Sequence, residues 1–221
     1  FDQKKYIEAI SIYDQALSQK KDFVECIFHQ ALCLDSLNRK EEASKKYDLA
    51  ISLRPDYSLA KFNLALLNLS INNFCDGWKI YKERWGTNKF LNKFLKTSNP
   101  LLTDDLKKDE KIYIWAEQGI GDQILYLSML NDFSSLNDNL IVSVDKRLIP
   151  ICERSFKKIN FISQDESLDD SMFDKHIPMG DLGLFVRKKI EDFKNQKKQF
   201  LNPDLYKLDK FKKNLRKEKK F

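Results

Sequence analysis

The feature that most constrains this chain is a spacing. Ala9, Ala43 and Gly77 stand 34 positions apart, and so do Tyr13, Tyr47 and Tyr81. Ala16 and Ala50 follow the same interval, with Arg84 in the third place, and Ala31 and Ala65 repeat it at another position. A small residue at a fixed point of each period lets two helices approach closely, and an aromatic four residues later fills the space between them. Repeats of this length cannot bury an apolar face alone, so neighbours must stack. The predicted helices run over about Lys4–Ser18, Val24–Leu37, Lys40–Leu53, Ser58–Ile71 and Phe74–Trp85, and Pro55 stops the third.

This pattern resembles the tetratricopeptide repeat over residues 1–85. The first repeat shows only its second helix. Lys21 stands where that repeat would carry proline, and Gly77 and Arg84 replace alanines in the last. The resemblance implies a concave groove lined by Glu25, Phe28, Leu32, Asp35 and Ser36, then by Leu59, Phe62, Leu66, Leu69 and Ser70. The partner groove is therefore expected at Phe28, Leu32, Asp35, Phe62, Leu66 and Leu69. This apolar strip either receives an extended protein or peptide or packs against neighbouring elements.

The second half has a different grammar. Residues 86–110 lack periodicity, and Asn99-Pro100 with Thr103-Asp104-Asp105 reads as turn chemistry, so this stretch is the expected linker. Strand signals then alternate with helix signals. Strands are predicted at Lys111–Ala116, Asn139–Val144, Ile159–Ser163 and, briefly, His176–Met179. Helices are predicted at Asp122–Phe133, Lys146–Ser155 and from Gly180 or Asp181 to Val186. Such alternation predicts a Rossmann-like parallel sheet over 111–200 with helices on both faces. The fold class expected is thus α plus α/β: an α-solenoid followed by a Rossmann-like half-domain. A basic helical segment, 201–221, closes the chain.

Ligands of parallel sheets sit at the carboxyl ends of the strands. That rim would carry Glu117, Gln118, Gly119, Gly121, Asp122, Asp145, Gly180 and Asp181. In Glu117-Gln118-Gly119-Ile120-Gly121-Asp122 the glycines are expected to let the backbone turn sharply into a helix. The N–H groups at that helix start can hold an anion or a polar sugar group. Asp122 would be favoured as a carboxylate there, fit to act as a general base, with Glu117 a second carboxylate nearby. The simpler alternative is a turn in which Asp122 caps the helix. A dinucleotide fingerprint fits poorly, because Ile124 occupies the third glycine position, although Asp145 ends the second strand where a ribose-binding acid would lie.

Other chemistries find little support. The net charge of +6 is concentrated in the lysine-rich last thirty-odd residues, read as a solvated face without a nucleic-acid motif. The four cysteines form no CxxC pair, which suits a reducing cytoplasm. Cys26, His29 and Cys33 share a helix face but lack zinc spacing, so no metal is expected. His176 reads as a strand-end residue. No apolar run approaches ~18 residues, so no membrane span is expected.

The order of segments carries a second resemblance. Repeats are followed by GWKIYKERW (77–85), then WAEQGIGDQILYLSMLNDF (115–133), VSVDKRLIPICERSF (142–156) and FDKHIPMGDLGLF (173–185). This is similar to bacterial tetratricopeptide-repeat proteins with a glycosyltransferase-like region, related to the heptosyltransferase and O-linked N-acetylglucosamine transferase group of B-type folds. The resemblance implies an acceptor half here and a donor half binding a nucleotide sugar beyond it, with Asp122 as base, a protein or glycan acceptor, and no catalytic metal. It also implies that this stretch alone binds no cofactor and turns over no substrate. The alternative is a non-catalytic scaffold with a degenerate α/β platform.

Overall fold

The computed structural model describes residues 3–90, 93–103, 105–194, 196 and 199–218. Asp104 of the expected linker turn, and residues 219–221 of the basic segment, lie outside the described residues. The chain divides into two compact units: 1–94 with Arg187–Glu191, and Leu95–Val186 with Asp192–Phe221. Helical structure predominates, joined by one parallel sheet.

The first unit holds α1 (Gln3–Gln19), α2 (Val24–Ser36), α3 (Lys40–Leu53), α4 (Ser58–Ser70) and α5 (Phe74–Tyr81). The helix expected to reach Trp85 tightens into a 3-10 turn over Lys82–Gly86. Each helix packs on its successor. The periodic small residues explain how: Ala31, Ala43, Ala50 and Ala65 are fully buried, as are Ala60 and Tyr47. At Gly77 a Cβ would lie 2.7 Å from Leu69 Cδ2, so α4 and α5 cross too closely even for alanine. Both α2 and α4 end on an asparagine with positive φ, Asn38 (59°) and Asn72 (66°), which are themselves 34 positions apart. Asparagine tolerates this left-handed conformation, and the following N–H groups return to Leu34 and Asn68 carbonyls, satisfying the helix ends.

The second unit is built on β1 (Ile112–Trp115), β2 (Leu140–Val144), β3 (Asn160–Ser163) and β4 (Lys175–Pro178), all parallel, in the order β3-β2-β1-β4. Its helices are α6 (Ile120–Leu127), α7 (Leu130–Ser134), α8 (Ile149–Ser155), α9 (Gly183–Val186) and α10 (Leu205–Glu218). The single helix expected over Asp122–Phe133 is broken at Ser128–Met129. One sheet face, with Ile112, Ile114, Val142, Val144 and Ile177, packs on Leu127, Leu130, Phe133 and Cys152 from the helices. The other carries Tyr113, Trp115, Ser143 and His176, also buried.

The stretch expected as a linker is anchored at both ends. Thr87 donates its hydroxyl to the Arg84 carbonyl, and Phe90 is buried against Phe62 and Trp85. Further on, Asp170 accepts bonds from the Thr97 and Ser98 hydroxyls and from the Ser98 N–H. Residues 100–102 then lie beside β4: His176 N–H donates to the Pro100 carbonyl and Leu102 N–H to the His176 carbonyl. Lys175 is buried because Asp105 and Glu110 flank its ammonium at 3.0 and 3.1 Å. Among the described residues no helix is long and apolar enough to cross a membrane.

Candidate functional site

The strand order reverses at β1. From it the chain steps outward through β2 to β3, then returns to place β4 on β1's other side. In open parallel sheets this switch point leaves a crevice at the strand ends, where ligands sit. Here that position falls between the exit of β1, residues 116–122, and the exit of β4, Met179–Asp181.

Glu117 joins the two exits. It is 7% exposed, and its Oε1 accepts the Gly180 N–H at 2.9 Å. A Cβ on Gly180 would fall 2.5 Å from that oxygen and 3.3 Å from Tyr126 Cζ, so only glycine fits. Glu117 is therefore a tie across the switch point, a role its candidacy as a second carboxylate did not foresee. Gln118 follows with φ of 61°, a conformation uncommon outside glycine. Its Nε2 donates to Tyr126 Oη at 3.1 Å and lies 3.4 Å from Glu117 Oε2.

The sharp turn expected of the glycines is made with positive φ at Gln118 instead. Gly119 has φ of −83°, and no glycine has positive φ among the described residues. What Gly121 supplies is room, since a Cβ there would meet nothing within 4 Å. Asp122 Oδ2 accepts the Gly119 N–H at 3.1 Å, capping α6. This is the Asp122 side chain's one hydrogen bond among the described residues, and Oδ1 makes none. Gln123, which sequence reasoning passed over, is 1% exposed and splices the rim. Its Oε1 accepts the Asp145 N–H at the end of β2, and its Nε2 donates to Gln164 Oε1 just beyond β3. The signal was available: Gln123 stands on the core-facing stripe with Ile120, Tyr126, Leu127 and Leu130. Ile124 and Leu125, also apolar, are 37% and 64% exposed.

Asp145 is on the rim but occupied. Arg147 grips both its oxygens through Nε and Nη2 at 2.9 and 2.8 Å, and the Arg147 N–H adds a third bond. These bonds hold the carboxyl well below the usual carboxylate range. Asp181 sits in the 3-10 turn after β4, beside Gly180. His176 lies under the rim, 3% exposed, with Nδ1 accepting the Trp115 indole N–H at 3.0 Å. Burial pushes its pKa down, with the Asp170 charge acting in the other direction.

In the helical unit the expected groove residues separate. Phe28 is 2% exposed and stacks among His29, Tyr47 and Tyr57, so it is core rather than groove, which corrects the expectation. Its helix face turns inward because α3 and Tyr57 cover it. Leu66 and Leu59 are exposed, at 42% and 41%. Leu32, Phe62 and Leu69 are half-buried, Phe62 against Tyr81 and Phe90, and Asp35 pairs with Lys40 at 2.5 Å. Cys26 and Cys33 are buried while His29 is exposed, and no cluster of three metal-binding side chains occurs among the described residues.

No protein-family model matches the chain. It is similar to Protein FlbA of Caulobacter vibrioides, at 25% identity over 171 residues that cover 68% of this chain. The chain spans about a quarter of that relative's length, 26%.

Proposed function

We propose that the chain belongs to a sugar-transferring protein in which tetratricopeptide repeats position a partner and the α/β unit forms the acceptor side of a glycosyltransferase-like cleft. The observation that supports it most is the switch-point rim. Glu117 fixes the β4 exit against the β1 exit, Gly121 leaves open space, and Asp122 stands beside that space with one carboxylate oxygen unengaged by the described residues. The stacked helices with buried alanines at 34-residue intervals support the repeat assignment. In this reading Asp122 Oδ1 takes the proton of an acceptor hydroxyl as the hydroxyl oxygen bonds to the anomeric carbon. The nucleotide leaves with the electrons of the broken glycosidic bond. The donor, a nucleotide sugar, belongs to the protein as a whole, and no resident metal enters the scheme.

The test is to incubate the full-length protein with a panel of nucleotide sugars and measure nucleotide release. Asp122→Asn should lower the rate by about 10²–10⁴-fold, the usual contribution of a general base, while circular dichroism stays unchanged. Equal rates in the variant would end the base assignment. A second reading, a non-catalytic scaffold, draws on the fact that Glu117, Asp122 and Asp145 all serve internal bonds. It predicts no nucleotide release with any donor, and partner capture that depends on Leu59 and Leu66 but not on Asp122.

A further inference from the structure

The 34-residue period allows one helix interface to be compared with the next. Asp14 on α1 corresponds to Asp48 on α3, Gln30 to Leu64, and Leu34 to Asn68. At the earlier interface Gln30 donates Nε2–H to Asp14 Oδ1 at 2.7 Å, and Leu34 fills the adjoining space, each 3% exposed. At the later interface both halves of that arrangement are changed. Leu64 has no donor to give Asp48, and Asn68 is smaller than the leucine it replaces.

A cleft of about 390 Å³ opens there, bordered by α3, α4 and α5 and lined by Ser44, Asp48, Leu64, Asn68, Asp76 and Ile80 among others. Asn68 is 9% exposed. Its Oδ1 accepts from Asn73 Nδ2 at 3.3 Å, which leaves its own amide Nδ2–H₂ without an acceptor among the described residues. The Nδ2 atom itself is open to solvent, so a ligand carbonyl can reach it from the cleft. The Asp48 side chain makes no hydrogen bond or ion pair among the described residues, and desolvation raises its pKa. Asp76 is engaged by Asn73 at 3.1 Å and lies 3.9 Å from Lys79, so Asp48 is the charge this cleft leaves uncompensated.

The cleft therefore asks for a ligand with a cationic donor for Asp48 and a carbonyl for Asn68. We propose that it is a binding site for an arginine residue of a peptide: the guanidinium meets Asp48 and the Ser44 hydroxyl, and the peptide carbonyl accepts from Asn68 Nδ2. Arginine fits better than lysine because its planar fork offers five donors to a carboxylate and its neighbours. The site stands within the helical unit and does not depend on the sugar-transfer reading.

The experiment is a titration of the ¹⁵N-labelled 221-residue chain with Nα-acetyl-arginine amide, followed by amide spectra. The Asn68 side-chain NH₂ signals and backbone signals of α3 and α4 should shift, and Nα-acetyl-glutamine amide should leave them in place. Asp48→Asn should weaken binding by about tenfold or more, the loss of one charged hydrogen bond. Asn68→Leu, which installs the residue of the preceding repeat, should abolish it. The proposal is overturned if no cleft signal moves, if the glutamine compound works equally well, or if Asp48→Asn binds as the parent does. Asp48 is an exposed side chain, so that variant retains the fold and keeps the test decisive even where Asn68→Leu repacks the helices.

Discussion

Gly180→Ala probes the tie across the switch point. The new Cβ would stand 2.5 Å from Glu117 Oε1 and 3.2 Å from its Cδ, with Tyr126 Cζ at 3.3 Å on another side. Glu117 is 7% exposed and already committed to the Gly180 N–H, so neither side can retreat freely. Overpacking of this kind costs ~1–3 kcal/mol. Displacing the carboxylate also forfeits a charged hydrogen bond of ~1.5–3 kcal/mol. The two losses overlap, and about 3 kcal/mol is the expected sum, roughly a hundredfold in the folding equilibrium. Urea unfolding read by hydrogen exchange at the β1 amides reports on this unit by itself. Glu117→Gln keeps a carbonyl acceptor and should cost only about 1 kcal/mol. In a Glu117→Ala background the clash is gone, so adding Gly180→Ala should cost under about 1 kcal/mol. A Gly180→Ala protein within ~0.5 kcal/mol of the parent, or an equal penalty in both backgrounds, would refute the tie.

Three further outcomes are expected. Tyr47 is fully buried and its hydroxyl has no partner among the described residues, so Tyr47→Phe should match or exceed the parent's stability by up to about 1 kcal/mol. A loss above that in thermal unfolding would mean the hydroxyl is satisfied. Cys75 is exposed while Cys26, Cys33 and Cys152 are buried, and burial pushes the Cys152 thiol up to about 12. A thiol reagent should thus label one cysteine quickly under native conditions, with mass spectrometry placing it at residue 75. His176 should titrate below its ordinary 6.5, because burial disfavours the imidazolium; protonating Nδ1 would also set its N–H against the Trp115 indole N–H that it now accepts. A folded pKa below the unfolded one means stability is full above about 6.5 and falls as pH drops below it. An imidazole NMR titration with a midpoint for His176 at or above 6.5 would contradict this.

The sequence reading succeeded where a physical period repeats. Ala31, Ala43, Ala50 and Ala65 mark helix crossings because only small side chains fit, and that requirement is visible in a string of letters. The parallel strands were equally legible, since every position of β1 and β2 is buried and all but Ser143 are apolar. Phe28 misled because helical periodicity shows an apolar stripe without showing which neighbour covers it. The glycine turn misled for a related reason: the residue at positive φ, Gln118, is held there by Tyr126 and Glu117 rather than by its own freedom. Glu117–Gly180 and Lys175 with Asp105 and Glu110 are contacts between distant segments, and no local pattern encodes them. Gln123 could have been found as a polar residue inside an apolar stripe.

The strip at residues 100–102 has a consequence for what the sheet can recruit. On its outer side β4 offers the N–H of His176, already given to Pro100, and then Pro178, which has none. A visiting strand would find carbonyls there and no donor to answer its own. Growth of the sheet, whether by a further strand or by an unwanted copy in a concentrated solution, is thereby directed to the β3 side, and the edge next to the switch point is sealed by composition as well as by cover.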